Sequence, residues 1–152
     1  MKAVVMSDSH KNFNSILRIM EQESDATQII HAGDVQQDVD DIESVWPTIP
    51  IACVVGNNEY FVPNIPSDRL FSLGGKTIFL THGHLYGVKY TLSALTKKAK
   101  EVQADICIFG HTHTRFLENR DGIWFLNPGS TRDSYATIVI ENQKIDIQLK
   151  EN

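Results

Sequence analysis

The stretch "DICIFGHTHTR" (105–115) runs from a short apolar segment straight into a glycine and two histidines one residue apart. Four or five β-branched or aromatic residues without alternation read as a strand covered on both faces. If the strand continued, His111 and His113, two positions apart, would line the same face. On a loop, both can turn toward one point. The same arrangement recurs outward from this segment. "KAVVM" (2–6) leads into "SDSH", with Asp8 and His10, and "QIIH" (28–31) leads into "AGD", with Asp34. "IACVV" (51–55) leads into "GNNE", with Asn57, and "TIFLT" (77–81) into "HGH", with His82 and His84.

Between the early strands lie segments of helical period. "FNSILRIMEQE" (13–23) carries Ile16, Leu17, Ile19 and Met20 on one stripe, "VDDIESVW" (39–46) is shorter, and "TLSALTKKAKEV" (91–102) opposes Leu92, Leu95 and Ala99 to lysines. The β-α-β-α-β alternation requires a partly parallel sheet. Three strand pairs then read as hairpins: "RLFSL" with "TIFLT" around "GGK", "RFLEN" with "IWFLN" around "DG", and "YATIVI" with "KIDIQLK" around "ENQ". The expected architecture is one α/β domain over 1–152, with two packed mixed sheets and helices outside.

Composition narrows the function classes. The chain has 152 residues, with 14 basic against 19 acidic side chains and a net charge of −5. That balance argues against a nucleic-acid groove, which needs clustered Lys and Arg. No window approaches the ~18 apolar residues of a membrane span, and the opening residues lack the apolar core of a signal peptide. A cytoplasmic protein is expected. Cys53 and Cys107 sit within apolar runs, without CxxC spacing, and read as buried and reduced.

In open α/β sheets, ligands bind beyond the carboxyl ends of the strands. Five strand ends here present carboxylate, imidazole and amide groups to one crevice, and five of the six histidines fall in these loops. Taken singly, Asp8 and Asn57 read as turn residues; His31 precedes its strand end and reads as structural. The coincidence of all five loops points to a metal site. Hard oxygens mixed with imidazoles, and no thiolate, suit Mn, Fe(II), Ni, Co or Zn. Seven donors exceed one tetrahedral ion and fit two ions about 3.5–4 Å apart. Asp34 is the natural bridge, because one carboxylate can bind two cations.

The ordered motifs "DSH", "GD", "GNNE", "THGH" and "GHTH", with a trailing "NPGS" (127–130), resemble the calcineurin-like metallophosphoesterases, in particular their small bacterial and archaeal phosphodiesterases. The resemblance covers most of the chain. It implies an αββα sandwich with the metal site at the carboxyl ends of the central strands. It also implies one ion held by Asp8, His10, Asp34 and His113, and a second by Asp34, Asn57, His82 and His111. Other HxH families fit less well. Amidohydrolases carry the motif after the first strand of a much longer barrel, and metallo-β-lactamase-type sites need an acidic residue where this chain has Thr114 and Arg115. No P-loop or GxGxxG is present.

The chemistry expected is hydrolysis of a small phosphodiester by a hydroxide bridging two divalent ions, with Mn2+ first among candidates and Ni2+, Zn2+, Fe2+, Co2+ and Mg2+ as alternatives. Asp34 and Asn57 serve the reaction through the ions, Arg132 or Arg115 is placed to touch phosphate, and Asn127 with Gly129 and Ser130 to frame the pocket. One position departs from the family pattern. Many members have a histidine, proposed as the proton donor to the leaving group, where this chain has Asn58 beside Glu59. An amide is no acid at accessible pH, so Asn58 is read as substrate-binding and His84 as the substitute donor. The alternative function is a binding scaffold, because the small phosphoesterase-like subunit of retromer resembles this fold with an altered metal set. A homo-oligomer is compatible with either reading.

Overall fold

The computed structural model describes residues 1–34, 36–58 and 64–152. In chain order its elements are β1 (Lys2–Met6), α1 (Phe13–Gln22), β2 (Gln28–His31), α2 (Gln36–Val45), β3 (Ile51–Cys53), β4 (Asp68–Leu73), β5 (Lys76–Thr81), α3 (Ser93–Glu101), β6 (Ile106–Ile108), β7 (Phe116–Arg120), β8 (Ile123–Asn127), β9 (Ser134–Glu141) and β10 (Lys144–Glu151). Two five-stranded sheets form, in the orders β10-β9-β1-β2-β3 and β4-β5-β6-β8-β7. The pairings β1–β2, β2–β3, β5–β6 and β6–β8 are parallel, and β10–β9, β9–β1, β4–β5 and β7–β8 are antiparallel.

The non-alternating apolar runs are explained by what covers each face. Ala3, Val5 and Ile30 of one sheet pack against Ile78, Leu80, Ile106, Ile108 and Leu126 of the other. The opposite faces of the same strands are also buried. Val4, Met6 and Ile29 meet Ile16, Ile19 and Met20 of α1 and Ile42 of α2. Phe79, Cys107 and Phe125 meet Leu95 and Ala99 of α3. The result is helices, sheet, sheet, helix: the αββα sandwich expected from sequence. Among the described residues, no helix is long and apolar enough to cross a membrane. Cys53 and Cys107 are buried free thiols.

The three hairpin turns share one solution. Gly74–Gly75, Asp121–Gly122 and Asn142–Gln143 each place two consecutive residues at positive φ, as the twist-matched two-residue turn demands. Helix α1 starts where expected, its Asn12 side chain accepting from the Ser15 N–H at 3.3 Å. Leu17 is only half-buried; the buried position facing the sheet is Ser15, whose hydroxyl meets Thr131 Oγ1 at 2.7 Å. Helix α2 begins three residues before its expected start. Its first turn is polar, and Asp38 there is 1% exposed.

Candidate metal centre

All parallel strands of both sheets deliver their carboxyl ends to one side of the sandwich. The backbone turns sharply there: Asp8, His10, Lys11, Asp34, His111 and His113 all have positive φ, a conformation rare outside glycine. Close approach of the loops explains two of the glycines. A Cβ on Gly56 would lie 2.4 Å from the Asp34 Cα, and one on Gly110 would lie 2.0 Å from Ser7 Oγ and 2.9 Å from Asp8 Oδ2. These glycines bring ligand-bearing loops against each other. Gly110→Ala is therefore expected to expel the buried Ser7 hydroxyl and shift Asp8, costing about 1–3 kcal/mol. Thermal melting checks this, and Ser7→Ala in the same chain should restore part of the loss.

The seven expected donors come together in two groups. One donor atom from each of Asp8, His10, Asp34 and His113 lies within 4.8 Å of all the others. His10 Nε2 stands 2.9 Å from Asp34 Oδ2 and 3.2 Å from His113 Nε2, and His113 Nε2 stands 3.3 Å from Asp8 Oδ1. The second group converges on the Asn57 side-chain oxygen, 2.9 Å from His82 Nε2 and 3.2 Å from His111 Nδ1. Asp8 Oδ1 reaches toward both, with His82 Nε2 at 3.8 Å.

Proton accounting shows that this arrangement fits a cation. Asp8 Oδ2 accepts from the Ser7 hydroxyl at 2.7 Å and from the His111 N–H at 3.0 Å. Asp8 Oδ1 is buried and has no hydrogen-bond partner, which is costly for a carboxylate oxygen. His82 Nδ1 is 2.7 Å from the Ala32 carbonyl. A carbonyl only accepts, so a neutral ring carries its proton on Nδ1 and leaves Nε2 bare. That bare nitrogen faces Asn57 Oδ1, also an acceptor. Lone pairs converging without a proton between them are stabilised by a positive ion, and a carbonyl behind the imidazole is the usual second support of a metal-binding histidine.

Other residues singled out by sequence fall around these groups. Asn58 donates from Nδ2 to Asp34 Oδ1 at 2.5 Å. The His84 ring lies 5.5 Å from that of His82 and 6.1 Å from that of His111, with a buried, unpartnered Nδ1. Arg132 is exposed and shares a hollow of about 480 Å³ with His113 and Arg115. Glu59 lies outside the described residues. Asn127 does not frame the crevice: it is fully buried, donating to the Gly110 carbonyl and to Thr112 Oγ1, both at 3.0 Å. It pins the loop that carries His111 and His113. Ser130 does the same for Asp8, whose carbonyl accepts its hydroxyl at 3.1 Å.

Sequence reasoning left His31 as structural and missed Ser9 and Asp38; the three are fully or almost fully buried and joined by hydrogen bonds through Ser9. A histidine at the last position of a strand, one residue from "GD", was the available signal.

Burial pushes the His31, His84 and His111 imidazoles below their ordinary range, His111 to about 4. The unfolded chain then binds more protons than the folded one below pH ~6.5. Stability is complete above that pH and falls as the pH drops through it. A single histidine contributes at most about 1.4 kcal/mol per pH unit to that slope. Urea midpoints of chelator-treated protein at pH 7.5, 6.5 and 5.5 measure it, and His31→Gln should flatten the acid limb. An equal slope in that variant would assign the proton uptake to other groups.

Comparison with known proteins agrees with the geometry. The sequence matches the profile of the calcineurin-like phosphoesterase superfamily domain over residues 1–142. It is 31% identical over 156 aligned positions to the probable metallophosphoesterase YsnB of Bacillus subtilis, covering 97% of this chain and 89% of that one. A conserved Streptococcus pneumoniae protein described as a predicted phosphoesterase has a TM-score of 0.80 at 28% identity, covering 99% of this chain and 88% of that one. Vps29 of Entamoeba histolytica, solved in complex with Zn2+, shares the fold with a TM-score of 0.79 at 18% identity over 99% of both chains.

Proposed function

The chain belongs to the calcineurin-like phosphoesterase superfamily, and on that premise we propose that it is a phosphodiesterase using two divalent ions, Mn2+ foremost, on small phosphodiesters. The observation that carries this reading is the buried Asp8 Oδ1, unpartnered and faced by His113 Nε2 at 3.3 Å and His82 Nε2 at 3.8 Å. Asp8, His10, Asp34 and His113 would hold one ion, and Asp34, Asn57, His82 and His111 the other. Divalent ions so held supply charge neutralisation at the phosphate and a water acidified toward neutral pH.

The chain's own residues set the rest. The Ala32 carbonyl fixes the His82 tautomer and so aims Nε2 into the crevice. Asn58 orients the Asp34 carboxylate through its 2.5 Å hydrogen bond. Arg132, exposed beside His113, is placed to meet a substrate oxygen. His84, next to His82 and His111, is the remaining imidazole available to hand a proton to a leaving group.

Metal-stripped protein reloaded with Mn2+, Ni2+, Zn2+ or Mg2+ tests the proposal against bis(p-nitrophenyl) phosphate and a panel of cyclic nucleotides. Turnover is expected with at least one ion, lost on chelation and restored on reloading. His113→Ala should loosen one ion and His111→Ala the other in metal titrations. If both ions bind and no substrate turns over, the binding-scaffold reading takes its place.

A further inference from the structure

The loops that carry Asp8, His10 and Asp34 are joined from behind by one buried hydrogen-bonded chain. His31 Nδ1 accepts the Gly33 N–H at 3.1 Å, so the neutral ring carries its proton on Nε2. That Nε2 is 3.0 Å from Ser9 Oγ, and Ser9 in turn donates to Asp38 Oδ2 at 2.5 Å. The same Asp38 oxygen accepts the Lys11 N–H at 3.0 Å. His31 and Ser9 are 0% exposed and Asp38 is 1% exposed. The residue types are those of a hydrolase triad, but the wiring is not: the serine sits between histidine and carboxylate, gives its proton to the carboxylate, and is shut off from any substrate.

Each anchor point of this chain adjoins a donor of the metal centre. Ser9 separates Asp8 from His10, Lys11 follows His10, and Gly33 precedes Asp34. Asp8, His10, Lys11 and Asp34 have φ values of 53°, 47°, 61° and 136°, conformations that persist only where surrounding contacts over-determine them. The hydrogen bonds are therefore directed at backbone that would not adopt these angles unaided.

We propose that His31, Ser9 and Asp38 are positioning residues that lock the loops bearing Asp8, His10 and Asp34 into their metal-binding geometry. The proposal rests on the metallophosphoesterase reading above. The direct readout is metal affinity of the full-length protein, by calorimetric titration of Mn2+ into the stripped chain, together with the spin-resonance spectrum of the bound Mn2+.

Ser9→Ala removes the central link without adding bulk and should weaken Mn2+ binding by ~10–100-fold, the usual cost of losing a residue behind a metal ligand. Asp38→Asn keeps an acceptor for Ser9 and Lys11 at the same volume, so it should weaken binding less than Ser9→Ala. If Ser9→Ala does not fold, Asp38→Ala replaces it as the severe variant. Tyr135→Phe controls for simple destabilisation. It removes a buried 2.7 Å hydrogen bond to Glu23 and should lower thermal stability while leaving Mn2+ affinity and spectrum as in wild type. The proposal is overturned if Ser9→Ala binds Mn2+ with wild-type affinity and spectrum, or if Tyr135→Phe weakens binding equally. Wild-type protein that bound no divalent ion would instead sink the metallophosphoesterase reading itself, a different and separable failure.

Discussion

An Asp34→Asn variant is expected to lose phosphodiester turnover by on the order of 10³-fold, the equivalent of about 4 kcal/mol of transition-state stabilisation. Asp34 is 2% exposed, with one carboxylate oxygen 2.9 Å from His10 Nε2 and the other taken by Asn58. Asparagine keeps the shape but removes the charge that lets one side chain hold two cations. Its amide would also meet the Asn58 NH2, donor against donor, if its nitrogen took the Oδ1 position. Metal titration should therefore show both ions weakened, not one. Two tightly bound ions with full activity in this variant would end the assignment of Asp34 as the bridge, whereas one ion lost and one retained would restrict Asp34 to a single site.

The second large effect follows from Asn58. One N–H of its side-chain amide is held by Asp34, and the amide is no acid at accessible pH, so it cannot protonate a departing oxygen. General acid catalysis contributes ~10²–10⁴-fold, and aryl phosphodiesters should be favoured over alkyl ones by a margin of that order. Asn58→His is expected to raise alkyl ester turnover more than aryl turnover, narrowing the gap. A shallow dependence on leaving-group pKa in wild type would make His84 the donor, and His84→Gln should then steepen the same series. With burial holding the His84 imidazole below its ordinary range, such a donor would be charged in a smaller fraction of molecules as pH rises. Alkyl turnover would then fall on the alkaline side.

The strands were legible because burial on both faces leaves an unmistakable apolar run, and each is followed at once by the polar residue it presents. Their ends were less so. "IACVV" reads as a strand to residue 55, but the Val55 N–H bonds the Pro66 carbonyl and not β2. Apolar character continues there after the ladder has stopped. The start of α2 was hidden because Gln36, Gln37 and Asp38 offer no apolar period, and Asp38 is buried for its hydrogen bonds alone. The donors of the metal centre stood out by residue type and repetition. Their supports were not legible as supports: Ser9 gave no signal, His31 read only as structural, and Asn127 and Ser130 read as pocket residues, because what they hold is backbone brought near only by folding. Pattern reading finds groups that face a ligand more easily than groups that face the chain.

The donor set also has a bearing on folding and lifetime. Asp8, His10, Asp34 and Asn57 hang from the sheet containing β1, β2 and β3, while His82, His111 and His113 hang from the sheet containing β5 and β6. His111 and Asp8, 103 residues apart in sequence, are joined at 3.0 Å. A cation coordinated by both sets would act as a rivet between the two halves of the sandwich, because no partly folded chain with only one sheet formed presents the full set. Binding then favours the native state alone, by about 2.7 kcal/mol when the free ion stands at 100 times its dissociation constant. Cells starved of the preferred ion would hold a protein that is more often open and more readily cleared by proteolysis.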